Sequence, residues 1–171
     1  IESSAAPEQT MSSASSQNNG SLNTYVRTFV AVPTTFASAI HLDWNLDMAE
    51  EPTGWVLGDA FTADIHGVNH TIQYATYYTA IGPNELAAPS LLGFYLDSTV
   101  GHDGEQYTLG TTKLGSGSKL KILVATQAAQ AIPIGIGEDT KRADAPTSLH
   151  DTYDVKLTDG KIYHPWMETN P

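Results

Sequence analysis

From Tyr25 onward, almost every stretch carrying large side chains reads as a β-strand, and turn signals separate these stretches at short, regular intervals. The clearest is AIHLDWNLDM, residues 39–48. Ile40, Leu42, Trp44, Leu46 and Met48 fall on one side; His41, Asp43, Asn45 and Asp47 fall on the other. A period of two marks a strand with one buried and one solvated face. TYVRTFVAV (24–32) sets Val26, Val30 and Val32 against Tyr25, Arg27 and Phe29, and it is rich in the β-branched and aromatic residues that suit a pleated surface. Residues 54–66 and 69–81 flank Gly67-Val68 as a long hairpin. Residues 91–100 are followed by His102-Asp103-Gly104 and then by 105–113, where Asp-Gly is a strong hairpin signal. GSGS (115–118) leads into KLKILVATQ (119–127), with Leu120, Ile122 and Val124 pointing one way. TYDVKLTDGKIYH (152–164) repeats the Asp-Gly device at Asp159-Gly160.

This makes about nine or ten strands, against one helical candidate, ATQAAQA (125–131), which overlaps a strand and precedes Pro133. The expected fold is all-β, an antiparallel β-sandwich or jelly-roll-like barrel. Its interior is expected to be built from Ile40, Leu42, Trp44, Leu46, Leu120, Ile122, Val124, Tyr153 and Val155. With 171 residues and 40% apolar content the chain can bury one real core, so 24–171 reads as a single domain.

Residues 1–23 are different. They contain seven serines, and Ile1, Met11 and Leu22 are their large apolar side chains. Such a segment cannot repay its own ordering entropy, so it reads as an extended polar arm. Any fixed position has to come from surface outside the arm, either its own domain or a neighbouring subunit. Deleting residues 1–22 is expected to leave the melting temperature almost unchanged while weakening self-association. A start at Ile1 rather than methionine reads as a trimmed or processed beginning.

The 19 acidic and 8 basic residues give a formal charge of −11, and no lysine or arginine lies between Arg27 and Lys113. A chain of this charge is ill suited to neutralising a phosphate backbone, so neither nucleic acid nor membrane insertion is expected. The absence of cysteine removes disulfides, thiolate zinc sites and cysteine nucleophiles together, and it is compatible with either side of a membrane.

Among six histidines, His66 and His70 flank a tight turn, with Asp64 on the first strand and His41 on another run; these are the metal-ligand candidates. Their spacing matches no helical H-E-x-x-H motif, and solvated turn residues explain them equally well, so no metal or cofactor is expected. Asp103 and Glu105, with Glu138, Asp139 and Asp144 in the later loop, offer oxygen ligands for calcium, but the EF-hand order is missing and turn chemistry accounts for HDGE. No G-x-S-x-G elbow, P-loop or G-x-G-x-x-G stands in the chain, so no enzymatic activity is expected. Tyr74, Tyr77, Tyr78, Trp55 and Tyr95 are candidates for stacking a sugar ring, although most are needed for the core.

An all-β domain with a polar arm, a large negative charge and long loops at 81–90 and 137–151 fits an assembly protein whose arms run over neighbouring subunits. The expected role is an outward-facing viral coat, protruding or capsid-decoration subunit, at a virion surface or extracellular, with copies of itself as partners. A secreted carbohydrate-binding module holding a glycan is the first alternative. A small metal-dependent β-barrel enzyme, requiring His41, His66 and His70 to converge, is the second. The wet face of 39–48 is expected to be structural surface or an intersubunit contact.

Overall fold

The computed structural model describes residues 15–21, 23–49, 54–114, 121–130 and 164–167. Within them lie ten strands: β1 Thr24–Pro33, β2 Ile40–Trp44, β3 Trp55–Leu57, β4 Phe61–Ile65, β5 Val68–Tyr77, β6 Leu91–Leu96, β7 Val100–His102, β8 Tyr107–Leu109, β9 Thr112–Leu114 and β10 Leu123–Gln130. Helix among the described residues is limited to one 3-10 turn, Thr34–Phe36. Every strand ladder is antiparallel, so the fold is all-β. The strand expected at 152–164, the core candidates Leu120, Tyr153 and Val155, and the acidic loop with Glu138, Asp139 and Asp144 lie outside the described residues.

The main sheet runs β10-β1-β5, with β3 and β4 following one another along the far side of β5. β1 lies between two partners and is buried on both faces, which its side chains allow. Val30 and Val32 pack with Phe36, with Ile40, Leu42 and Trp44 from 39–48, with Leu91, Phe94 and Leu96 of β6, and with Tyr107, Leu109 and Ile122. At the other end of this layer Val26 joins Trp55, Ala75, Ile81 and Ala87, with Leu46 and Tyr77 against them. On the opposite face Phe29 and Ala31 meet Ile65, Ile72 and Tyr74, with Phe61, Leu123 and Trp166 alongside. The alternation read from 24–32 is therefore the one observed. Each fully buried valine or phenylalanine here contributes ~1.5–3 kcal/mol of transfer free energy. Two polar groups enter the same layer in bonded form, Ser90 donating its hydroxyl to Thr28 Oγ1 at 2.9 Å.

Several local expectations are corrected. The run 39–48 is a ladder strand only to Trp44, paired with β6 across a bulge at Asp43/Trp44. Beyond it Asp47 folds back, accepting bonds from the Ala49 and Gly54 amides at 3.0 Å each, and Asn45 donates to the Pro89 carbonyl at 2.9 Å. Side-chain capture of backbone groups competes with strand pairing, so Met48 ends 86% exposed rather than on the buried side. The alanine-rich stretch 125–131 is not helical at 125–130. Those residues are strand, paired with β1 from Phe29↔Ala125 to Thr24↔Gln130, because ladder pairing overrides helical propensity. Val124 does lie opposite Val30, but β10 is the outer strand among the described residues, which leaves Val124 43% exposed.

The long hairpin turns one residue earlier than read, at His66-Gly67, where φ values of 54° and 80° fit the primed two-residue turn. Its first strand breaks between Leu57 and Phe61 because the Tyr74 ring lies across Gly58. A Cβ there would stand 2.1 Å from the ring. Gly58→Ala is expected to push that ring off its stacked partner Phe29 (centroids 5.3 Å apart) and to cost ~1–3 kcal/mol in a urea melt.

Candidate functional site

The long loop after β5 is a built structure. The amides and carbonyls of Ile81 and Thr24 exchange bonds at 2.8 and 3.0 Å, which ties the loop to the start of β1. Asn84 takes a φ of 63°, and the Glu85 carboxylate closes the turn by accepting from the Gly82 amide at 2.7 Å. The turn leaves the Asn84 amide, the Glu85 carbonyl and the Ala87 amide in position to pair.

They pair with the arm. Asn18 donates its amide to Glu85 O at 3.0 Å and accepts from Asn84 at 2.7 Å, and Ala87 donates to Ser16 O at 2.9 Å. Gln17 and Leu86 form the antiparallel bridge between them. One side chain anchors the contact: Asn18, 7% exposed, donates Nδ2 to Ile81 O at 2.9 Å and accepts from the Gly20 amide at 2.9 Å. Residues 16–18 thus belong to the contacts of their own domain. Deletion through residue 22 removes a buried, bonded asparagine, so a measurable loss of stability is now expected in place of the near-unchanged melting temperature expected from sequence. Nothing in the polar composition of the arm singled out Asn18. The loop itself was marked by its length.

The wet face of 39–48 resolves into separate parts. His41 stacks on its cross-strand neighbour Tyr95 (centroids 4.9 Å apart, planes at 21°), and its Nε2 lies 3.1 Å from Asp97 Oδ2. The Thr99 hydroxyl, the Thr99 amide and then His41 hold the Asp97 carboxyl down at about 2. The Asp103 carboxyl is held at about 2 by the Gln106 and Glu105 amides, with Lys113 adding to them at 3.3 Å. Both aspartates are turn caps, and this explains their acidity without any ion. Because both folded values lie below the ordinary 3.8, their contribution to stability is present above that pH and is lost as pH falls toward 2.

The three metal candidates occupy different places. His41 is on the outer face of β2, His66 is at the exposed tip of the β4–β5 turn, and His70 is buried on β5 with Nδ1 2.8 Å from Val68 O. Among the described residues no three His, Asp or Glu side chains come together as a group able to hold a metal. Of the aromatic candidates, Trp55 and Tyr74 are core residues, Tyr77 packs edge-on against Trp55, and Tyr95 is 42% exposed.

His164 packs by Phe61 and Trp166 on the Phe29 face of the main sheet, 5% exposed. Its Nδ1 has no hydrogen-bond partner among the described residues, and burial pushes its pKa below the usual 6.5. A depressed folded value means that the unfolded chain takes the proton first. Stability should therefore hold above pH 6.5 and fall as the pH drops below it. Urea midpoints at pH 7.5 and 5.5 should differ less in His164→Phe than in the parent chain; an equal difference would remove His164 as the cause.

No family model, curated protein or solved structure matches this chain.

Proposed function

We propose that the chain is a non-enzymatic assembly protein, an outward-facing coat, protruding or decoration subunit of a viral particle, that works at a virion surface or outside the cell. The observation that carries this reading is the composition of residues 1–23, too polar to fold alone. Of these, Ser16–Asn18 pair with backbone groups of the 81–87 loop of their own domain. The charge of −11 supports an outward position, away from packaged nucleic acid. The layering of β1 against β2 and β6 supports a sandwich or jelly-roll-like architecture for the domain. Copies of the chain are the partners in this reading.

Light scattering on the full chain from micromolar to near-millimolar concentration tests it. The weight-average mass should rise with concentration, whereas a constant monomer mass would contradict self-assembly. A carbohydrate-binding role has one observation in its favour, the exposed Tyr95 ring beside His41 and Asp97. Among the described residues one exposed tyrosine makes no platform, and Trp55 and Tyr74 are spent in the core.

A further inference from the structure

Beside the contact between Ser16–Asn18 and the 81–87 loop stands the one Asn-Gly pair of the chain, Asn19-Gly20. Such a pair can close on itself, because glycine has no Cβ to keep its backbone nitrogen away from the preceding side chain. The Gly20 nitrogen loses its proton and attacks Asn19 Cγ. That N–C bond forms, the Cγ–Nδ2 bond breaks, and Nδ2 takes up a proton and leaves as ammonia. Water then opens the cyclic imide at either carbonyl, which gives aspartate or isoaspartate. Water is the only co-reactant, and both residues are exposed to it.

The Gly20 amide is the group that must react, and Asn18 holds it. Asn18, 7% exposed, accepts from the Gly20 amide on Oδ1 at 2.9 Å while its Nδ2 donates to the Ile81 carbonyl at 2.9 Å. One carboxamide therefore bridges the loop and the Asn-Gly pair. The Asn18 backbone is fixed as well, through Glu85 O at 3.0 Å and the Asn84 amide at 2.7 Å. A proton engaged in this way is harder to remove, and the nitrogen that carries it is not free to swing onto the Asn19 side chain.

We infer that Asn19 is a site of spontaneous deamidation gated by the docking of Asn18 on the 81–87 loop: slow while the carboxamide bridges Ile81 and Gly20, fast once it lifts. No neighbouring copy is involved. The product adds a negative charge at the edge of the contact, and isoaspartate inserts a methylene into the backbone beside Asn18. The change runs one way, and an arm that has reacted redocks less well.

Peptide mapping by mass spectrometry on the full chain, kept at neutral pH, follows the conversion of the Asn19 amide to a carboxyl group. The native chain should convert roughly tenfold more slowly than the same chain unfolded in guanidinium chloride, the weight of one hydrogen bond. Asn18→Ala, folded by circular dichroism, should convert in buffer at close to the unfolded rate and match the parent in denaturant. Gly20→Ala, whose Cβ crowds the attacking nitrogen, should lose most of the conversion in both solvents. Equal rates for the native and the unfolded parent would overturn the gating without any variant, as would Asn18→Ala reacting no faster than the native parent. Conversion undiminished in Gly20→Ala would mean direct hydrolysis of the side chain and would overturn the route. No conversion of Asn19 in denaturant would remove the site itself.

Discussion

Trp55→Ala is expected to cost ~3–5 kcal/mol of folding stability, the range for truncating a large buried aromatic. Trp55 is 1% exposed, donates Nε1 to the Ala88 carbonyl at 2.7 Å, and packs edge-on against Tyr77 with centroids 5.1 Å apart. It lies in one cluster with Val26, Ile81 and Ala87, so it supports the start of β1 and the arm-accepting loop together. Truncation leaves a cavity there and an unbonded carbonyl at Ala88. Urea denaturation of the variant should show a midpoint shift of that size with little change in slope. Trp55→Phe restores most of the volume but not the bond, and should lose about half as much. A loss below ~1 kcal/mol for the alanine variant would mean that this side of the core is not packed as described.

Arg27→Ala is expected to cost ~3–5 kcal/mol for a different reason. The guanidinium is 1% exposed in the middle of the main sheet, donates Nε to Gln127 Oε1 at 3.0 Å, and lies 4.9 Å from the Phe29 ring centroid and 5.9 Å from that of Tyr74. A desolvated cation over an aromatic face is worth ~2 kcal/mol or more, and truncating so long a side chain adds a cavity. Arg27→Met keeps most of the volume and gives up the charge, so it should recover a large part of the loss. If methionine were as damaging as alanine, polar contacts rather than packing would dominate at this position.

The sequence was most legible where side-chain alternation and turn chemistry act alone. The two faces of β1 and the place of the Asp103-Gly104 turn needed no tertiary information. The strands read on either side of that turn divide, 91–100 into β6 and β7, and 105–113 into β8 and β9, which turn again at Gly110-Thr111. Legibility ended where a long-range contact decides the outcome. Gly58 looks like any glycine until the Tyr74 ring is laid across it. The alanines of β10 favour helix, yet they are strand because β1 supplies the ladder. Asp47 and Asn45 fit the period of 39–48 but spend their side chains on loop backbone at Gly54 and Pro89. For the candidate site, the length of the 81–90 loop was a usable signal. The role of Asn18 was invisible, because its main bond spans 63 positions of sequence.

In the proposed assembly, the arm is the element through which copies of this chain associate. Sedimentation velocity of the full chain beside a variant lacking residues 1–18 measures this directly, at a concentration where the full chain associates and a temperature where both are folded. A monomer peak is expected for the truncated chain and faster-sedimenting species for the full chain. Identical distributions, with the truncated chain associating as readily as the parent, would contradict it.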